Sequence, residues 1–196
     1  MVSMLLSSLR TSRSSSARAA LSGGDPLMLR DNALRTLVER LGEIAHLTTL
    51  RIHTRLPVVI PERVTDGLVD ILATTRLRSV VVLHINHPAE IDDELGAALT
   101  RLRSSGAILL NQSVLLRRVN DHADILVELS ERLIEYGVLP YYLHLLDPVA
   151  GAAHFNVSRT EAFEFVKEVR ARLPGYLVPR LVHEIPGATS KTEVTG

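Results

Sequence analysis

The sequence predicts an α/β fold: part of a barrel of parallel strands whose first βα unit is missing. Three observations carry that expectation. Short, near-continuously apolar β-rich runs recur with starts about 30 residues apart, the length of a strand plus its crossover helix. Amphipathic helical patterns fill the gaps between them. Polar residues gather where each run stops, and in parallel α/β folds that end of the strands holds the site.

The elements follow in order. Ala19 to Leu21 reads as the remnant of a strand, broken by Ser22-Gly23-Gly24-Asp25. A helix over 31–44 sets Leu34, Leu37, Val38, Leu41 and Ile44 on one face. Residues 49–53 form a strand, and 62–74 a helix with Leu68, Val69, Ile71 and Leu72 inward. A strand over 79–84 precedes a helix over 90–102, and a strand over 107–111 precedes a helix over 121–136. The last pair is a strand over 139–144 and a helix over 159–173, followed by a short extended run at 176–178. Asp121 and Ser158 are N-cap types, and Gly106 and Gly137 are helix stops. Apolar content on both faces of the strands suits a parallel sheet. Right-handed crossovers wind such units into an open sheet or a barrel. Five strands, the remnant included, are fewer than a closed barrel wants.

Composition narrows the function. The chain has 196 residues with 22 basic and 22 acidic side chains, so no net field favours nucleic acid or an anionic membrane. Aromatic content is 4% and Trp is absent, which leaves no stacking platform for single-stranded nucleic acid. No apolar run approaches the roughly 20 residues of a membrane span. There is no cysteine, which excludes disulfides and thiolate metal sites and is compatible with the cytoplasm. Residues 1–20 hold Arg10, Arg13 and Arg18, many serines and no acid. They read as a transit peptide, a disordered tail or foreign sequence joined to a truncated domain. The last is favoured, because the βα pattern begins abruptly. The expected organisation is a disordered or non-native segment at 1–18, a partial barrel at 19–174 and a C-terminal segment at 175–196.

Several residues can carry chemistry, each with a plainer alternative. Gly23 and Gly24 let the backbone approach a ligand, with Asp25 in the strand mouth, or they form a tight turn that Asp25 caps. His53, His84 and His87 lie near strand ends, with His144 and His154 later. Hydrogen bonding is commoner for such residues than metal ligation, and no metal site is assigned. Asn111 and Gln112 are two amides at a strand end, suited to carboxylate or ribose recognition or to turn chemistry. Asp147 is placed to hold a substrate ammonium or to pair with an arginine, and Glu184 is a second carboxylate of that kind. Lys191 follows Pro186-Gly187-Ala188-Thr189-Ser190, a small-residue approach from which a lysine can form a Schiff base. The alternative is a solvated lysine.

Together these segments resemble the lysine 2,3-aminomutase family of radical S-adenosylmethionine (SAM) enzymes. The resemblance runs from about Leu21 to Thr192. It rests on Arg51-Ile52-His53-Thr54-Arg55-Leu56-Pro57, His84-Ile85-Asn86-His87-Pro88, Asn111-Gln112-Ser113-Val114-Leu115-Leu116-Arg117 and Pro140-Tyr141-Tyr142-Leu143-His144. Gly151-Ala152-Ala153-His154-Phe155, Gly175-Tyr176-Leu177-Val178-Pro179 and Ser190-Lys191-Thr192 look like the branch that makes (R)-β-lysine for elongation factor P. The catabolic branch is the alternative.

The resemblance implies a (β/α)6 radical-SAM-type half-barrel and an isomerase converting L-lysine to (R)-β-lysine. It implies three cofactors: pyridoxal 5′-phosphate, SAM and a [4Fe-4S] cluster. Ser22, Gly23, Gly24 and Asp25 would cradle SAM, with help from His84 and Gln112. Lys191 would hold pyridoxal phosphate covalently. Asp147 would bind the ε-ammonium of lysine, with Glu184 where the family has a second acid. Elongation factor P and its lysyl-ligase are the implied functional partners, with no nucleic acid and no membrane. Oligomeric state is open, a homo-oligomer included. The family's Cys-x-x-x-Cys-x-x-Cys loop has no counterpart here, so this chain is expected to be inactive alone. Two rival readings are a non-enzymatic remnant or binding module, and a cluster-free Schiff-base lyase.

Overall fold

The computed structural model describes residues 17–22, 24–147, 151–183 and 191–194. Its strands are β1 (Ala17–Leu21), β2 (Leu47–Thr54), β3 (Arg78–Leu83), β4 (Ile108–Leu115), β5 (Val138–Leu145), β6 (Arg180–His183) and β7 (Thr192–Glu193). Its helices are α1 (Asp31–Gly42), α2 (Leu56–Val59), α3 (Asp66–Thr74), α4 (Asp93–Ser104), α5 (Ala123–Glu135) and α6 (Arg159–Arg172). The strands are hydrogen bonded in the order β1-β2-β3-β4-β5-β6-β7. β1 with β2, β2 with β3 and β5 with β6 are parallel, whereas β7 returns antiparallel to β6. The expected α/β architecture with parallel strands is therefore present. Among the described residues, no helix is long and apolar enough to cross a membrane.

The chain divides into two compact units, residues 1–84 with 92–110 and residues 85–91 with 111–196. In the first, Leu21, Ile52 and Val81 are in register across β1, β2 and β3 and are almost fully buried. The Ser79 hydroxyl, on the same face as Val81, donates to Leu72 O of α3 at 3.1 Å. The helices therefore cover that face. Side chains alternate along a strand, so Arg51, His53 and His84 project from the opposite one. In the second unit, Leu115, Leu126, Leu143, Val166 and Leu181 form a core that joins β4, α5, β5, α6 and β6. Each such buried side chain contributes roughly 1.5–3 kcal/mol. By the same alternation Gln112, Tyr142 and His144 lie on the face turned from α5 and α6.

Local chemistry explains where the elements depart from expectation. β1 starts two residues earlier than the run read from the sequence. The single helix expected over 62–74 is broken into a 3-10 turn at Pro61–Arg63 and α3, and α2, before it, was not expected. Pro57 and Pro61 each start a new turn, and the Thr65 hydroxyl accepts from Leu68 N at 3.1 Å to begin α3. Glu90 lies in a 3-10 turn rather than in α4. Its carboxylate accepts from Asn86 N and His87 N, and Asp92 caps α4 through Leu95 N at 2.8 Å.

Asp121 is not the cap of α5. His122 holds that position, and the Asp121 carboxylate instead accepts from Arg118 N at 2.9 Å, where Arg118 has a left-handed φ of 63°. Ser158 does cap α6, in a reciprocal box with Glu161. Two donors of Ser158, then Arg117, hold the Glu161 carboxyl at about 2, far below its ordinary 4.5. The run at 176–178 is not extended: Gly175–Leu177 is a 3-10 turn, and strand β6 follows it.

Candidate functional site

In the first unit the site begins at the ends of β1 and β2. Gly24 has φ 97°, and a side chain there would meet nothing within 4 Å, so the backbone faces open space. Asp25 is committed to the protein. One carboxylate oxygen accepts from Leu27 N at 3.0 Å and the Thr54 hydroxyl at 2.7 Å. The other accepts from Arg55 N at 2.7 Å and Leu56 N at 3.0 Å. These bonds tie the β1 loop to the β2 loop, which is the turn-capping alternative. Ser22 and Gly24 remain on the loop that this carboxylate shapes, and Gly23 lies outside the described residues. His84, just past β3, meets His53 edge to face with ring centres 6.1 Å apart.

In the second unit the two amides separate. Asn111 and Gln112 lie within β4, not at its end, so turn chemistry does not apply to them. Asn111 is 2% exposed; it accepts from Ile85 N and donates to Ile85 O, both at 2.9 Å. It is a structural clamp. Gln112, one residue on, takes the opposite face of β4.

Lys191 is drawn into this unit by the chain that follows it. Thr192 pairs with His183, Val194 N donates to Leu181 O at 2.9 Å, and Val194 is buried in the core. That anchor places Lys191 Nζ 2.7 Å from His144 Nε2 and 5.0 Å from the centre of the Tyr142 ring. The Tyr142 and His144 rings meet edge to face at 5.8 Å. Tyr142 OH is 2.9 Å from Tyr141 OH.

Lys191 is thus held against β5 rather than solvated. Tyr142 and His144 are members of this group that the choice of site residues missed. The signal was present: buried Leu143 faces the helices, so its neighbours at one residue either side face away. Asp147, two residues beyond β5, is exposed and makes no ion pair among the described residues, so the arginine pairing is absent there. Glu184 lies outside the described residues. Among the described residues, no group of three or more His, Asp or Glu is placed to hold a metal.

Comparison with known proteins now bears on this arrangement. No protein-family model matches the chain. Over 171 residues it is 54% identical to the L-lysine 2,3-aminomutase of Haemophilus influenzae, covering 87% of this chain and 51% of that protein. It is 52% identical to the enzyme of that name from Escherichia coli, over 87% of this chain and 50% of that protein. This chain is a relative of the lysine 2,3-aminomutases. It is 39% identical to the L-lysine 2,3-aminomutase of Clostridium subterminale, over 89% of this chain and 42% of that protein. The chain spans about half the length of the first two relatives.

Two solved structures share the fold. A radical SAM methyltransferase from Sphaerobacter thermophilus superposes with a TM-score of 0.58 at 20% identity, over 78% of this chain and 46% of that one. Streptococcus suis SuiB, bound to S-adenosylmethionine, gives 0.57 at 15% identity, over 87% of this chain and 39% of that one. The fold is therefore that of the radical SAM partial barrels, and the resemblance read from the sequence holds.

Proposed function

We propose that this chain is the pyridoxal-binding part of a lysine 2,3-aminomutase, an isomerase that converts L-lysine to (R)-β-lysine. The observation that carries the proposal is the 54% identity over 171 residues with a protein of that name. The placement of Lys191 supports it. A lysine that bonds covalently to a carbonyl cofactor must have its amine held in place, and Lys191 is held near His144 and Tyr142. Pyridoxal phosphate and SAM, when bound, supply the radical chemistry of the amino migration. The residues of this chain bind and orient. Lys191 and the Tyr142 ring fit the first cofactor. The open backbone at Gly24 suits the second, to which Ser22 and His84 of the same unit and Gln112 of the other are assigned by the resemblance, and Asp25 fixes the Gly24 loop. Exposed Asp147 offers a carboxylate to the ε-ammonium of lysine, and Glu184 is assigned the same duty.

The cluster does not fit. Its ligands are thiolates, and none of the 196 residues is a cysteine. We therefore assign cofactor and substrate binding to this chain and no turnover to it alone. Identity is higher to the Haemophilus and Escherichia relatives than to the Clostridium one, which is in keeping with the resemblance read from the sequence at 151–155, 175–179 and 190–192. On that basis we place the chain in the branch that serves elongation factor P and its lysyl-ligase, in the cytoplasm.

The test is direct. Pyridoxal phosphate added to the purified chain should give Schiff-base absorbance that disappears in Lys191→Ala. L-lysine, supplied with SAM and reductant under anaerobic conditions, should stay unconverted. No absorbance would remove the cofactor assignment, and β-lysine formed by the chain alone would remove the claim of inactivity. The lack of cysteine also supports a second reading, a binding module that takes up pyridoxal phosphate and has no reaction of its own.

A further inference from the structure

We infer that His144 is the proton acceptor that frees the Lys191 amine for its carbonyl partner. The inference rests on the assignment of Lys191 above and adds to it a positioning residue acting through that lysine. Three observations support it. Nζ and Nε2 are 2.7 Å apart, a full hydrogen bond. His144 is 9% exposed and sits on a strand within a hydrogen-bonded sheet, so its backbone is fixed beside the pair and its ring is mostly buried. Lys191 is pinned from the other side by the β6–β7 pairing and by buried Val194.

The chemistry follows from the donor inventory. A lysine ammonium has three donors and no acceptor, so the bond requires His144 Nε2 to offer its lone pair and Nδ1 to carry the ring proton. An ammonium has no lone pair and cannot add to a carbonyl. Transfer of one proton breaks an Nζ–H bond, forms an Nε2–H bond and leaves a neutral amine beside an imidazolium; no electrons change hands. Imidazole is suited to this work because its ordinary pKa lies near neutrality. The Tyr142 face, 5.0 Å away, accommodates a cation at Nζ before transfer.

The experiment measures Lys191 itself rather than enzyme turnover. The intact chain is treated with formaldehyde and cyanoborohydride across pH 5 to 9, and methylation at Lys191 is quantified by peptide mass spectrometry. The unmodified chain should label at neutral pH on the order of tenfold or more faster than His144→Ala, within the range of general base effects. His144→Gln keeps a hydrogen-bond acceptor but cannot take a proton, so it should label as slowly as His144→Ala. Added imidazole should partly restore the alanine variant. Equal rates and superimposable pH profiles in the three chains would overturn the inference, as would full rescue by glutamine, which would mean placement alone. If His144→Ala fails to fold, His144→Gln carries the comparison. The pyridoxal phosphate assignment is read separately by absorbance. A histidine-dependent profile without cofactor absorbance would keep the pair and reject the cofactor. Absorbance with a histidine-independent profile would do the reverse.

Discussion

Both carboxylate oxygens of Asp25 are taken by the protein's own donors, and that decides what a substitution there does. Removing the carboxylate leaves Leu27 N, Arg55 N, Leu56 N and the Thr54 hydroxyl to find water in a half-buried turn. Asp25→Ala should lower stability by about 1–3 kcal/mol in urea unfolding, because unsatisfied donors cost more than a lost bond returns. A loop that SAM alone organised would show almost no change. Glu161 gives a second residue-scale prediction, in pH. Its folded pKa of about 2 lies below its ordinary 4.5, so the box it closes stabilises α6 at and above pH 4.5 and fades as pH falls toward 2. The Ser158 side chain is the largest cause, the Ser158 N–H the next and Arg117 follows. Ser158→Ala should therefore move the Glu161 midpoint, followed by carboxyl-carbon NMR, up toward 4.5. No movement would assign the depression to the Ser158 N–H and Arg117 instead. Ser158 was legible as a cap from sequence because Ser-x-x-Glu is local chemistry. The duty of Asp25 was not, because its partners in β2 and the loop after it are about thirty residues away.

Elements were legible to the extent that their signals are local. Apart from the unexpected α2 and the broken helix over 62–74, the helices lie within a few residues of where apolar periodicity places them, and Gly106 and Gly137 stop α4 and α5 with φ of 80° and 73°. Strand ends were harder. β4 runs on to Leu115 because Asn111 buries its amide on Ile85, a contact between distant segments that makes a polar residue as acceptable mid-strand as a leucine. Helix propensity misleads in the same way at Gly67, near the start of α3. An alanine in an exposed helix position gains about 1 kcal/mol over glycine. Here a Cβ would stand 2.5 Å from Asp31 Oδ2, whose carboxylate already accepts from the Thr65 hydroxyl and pairs with Arg63 at 2.8 Å. Gly67→Ala should be destabilising, by roughly 1–2 kcal/mol once displacement of Asp31 is set against propensity. Adding Asp31→Ala should make the same glycine substitution neutral or favourable. If Gly67→Ala alone raised the thermal midpoint, the Asp31 carboxylate would be shown to move at no cost.

At the scale of the whole molecule, the fold and the kinship were legible together, because several long blocks in one order specify both. The proposed occupancy of the site was harder to read, because the residues assigned to the cofactors come from different strands and one of those cofactors requires a residue type the chain lacks. The two organic cofactors and the cluster therefore make opposite predictions for the same protein. The proposed pyridoxal phosphate site needs a positioned lysine, and Lys191 has Tyr142 and His144 beside it. A [4Fe-4S] cluster needs thiolates, and imidazoles or carboxylates scattered over strand ends do not replace them. After anaerobic incubation with iron and sulfide, followed by desalting, the chain should keep no iron above that of an unrelated cysteine-free protein, and it should show no charge-transfer absorbance. The same preparation should keep pyridoxal phosphate through Lys191. Iron retained with sulfide, in a chain without a single thiol, would mean that His, Asp or Glu side chains hold a cluster here, and the division between cofactor binding and turnover would fail. Iron lost while pyridoxal phosphate stays would separate the proposed cofactor binding by this chain from cluster chemistry, for which it has no thiolate ligand.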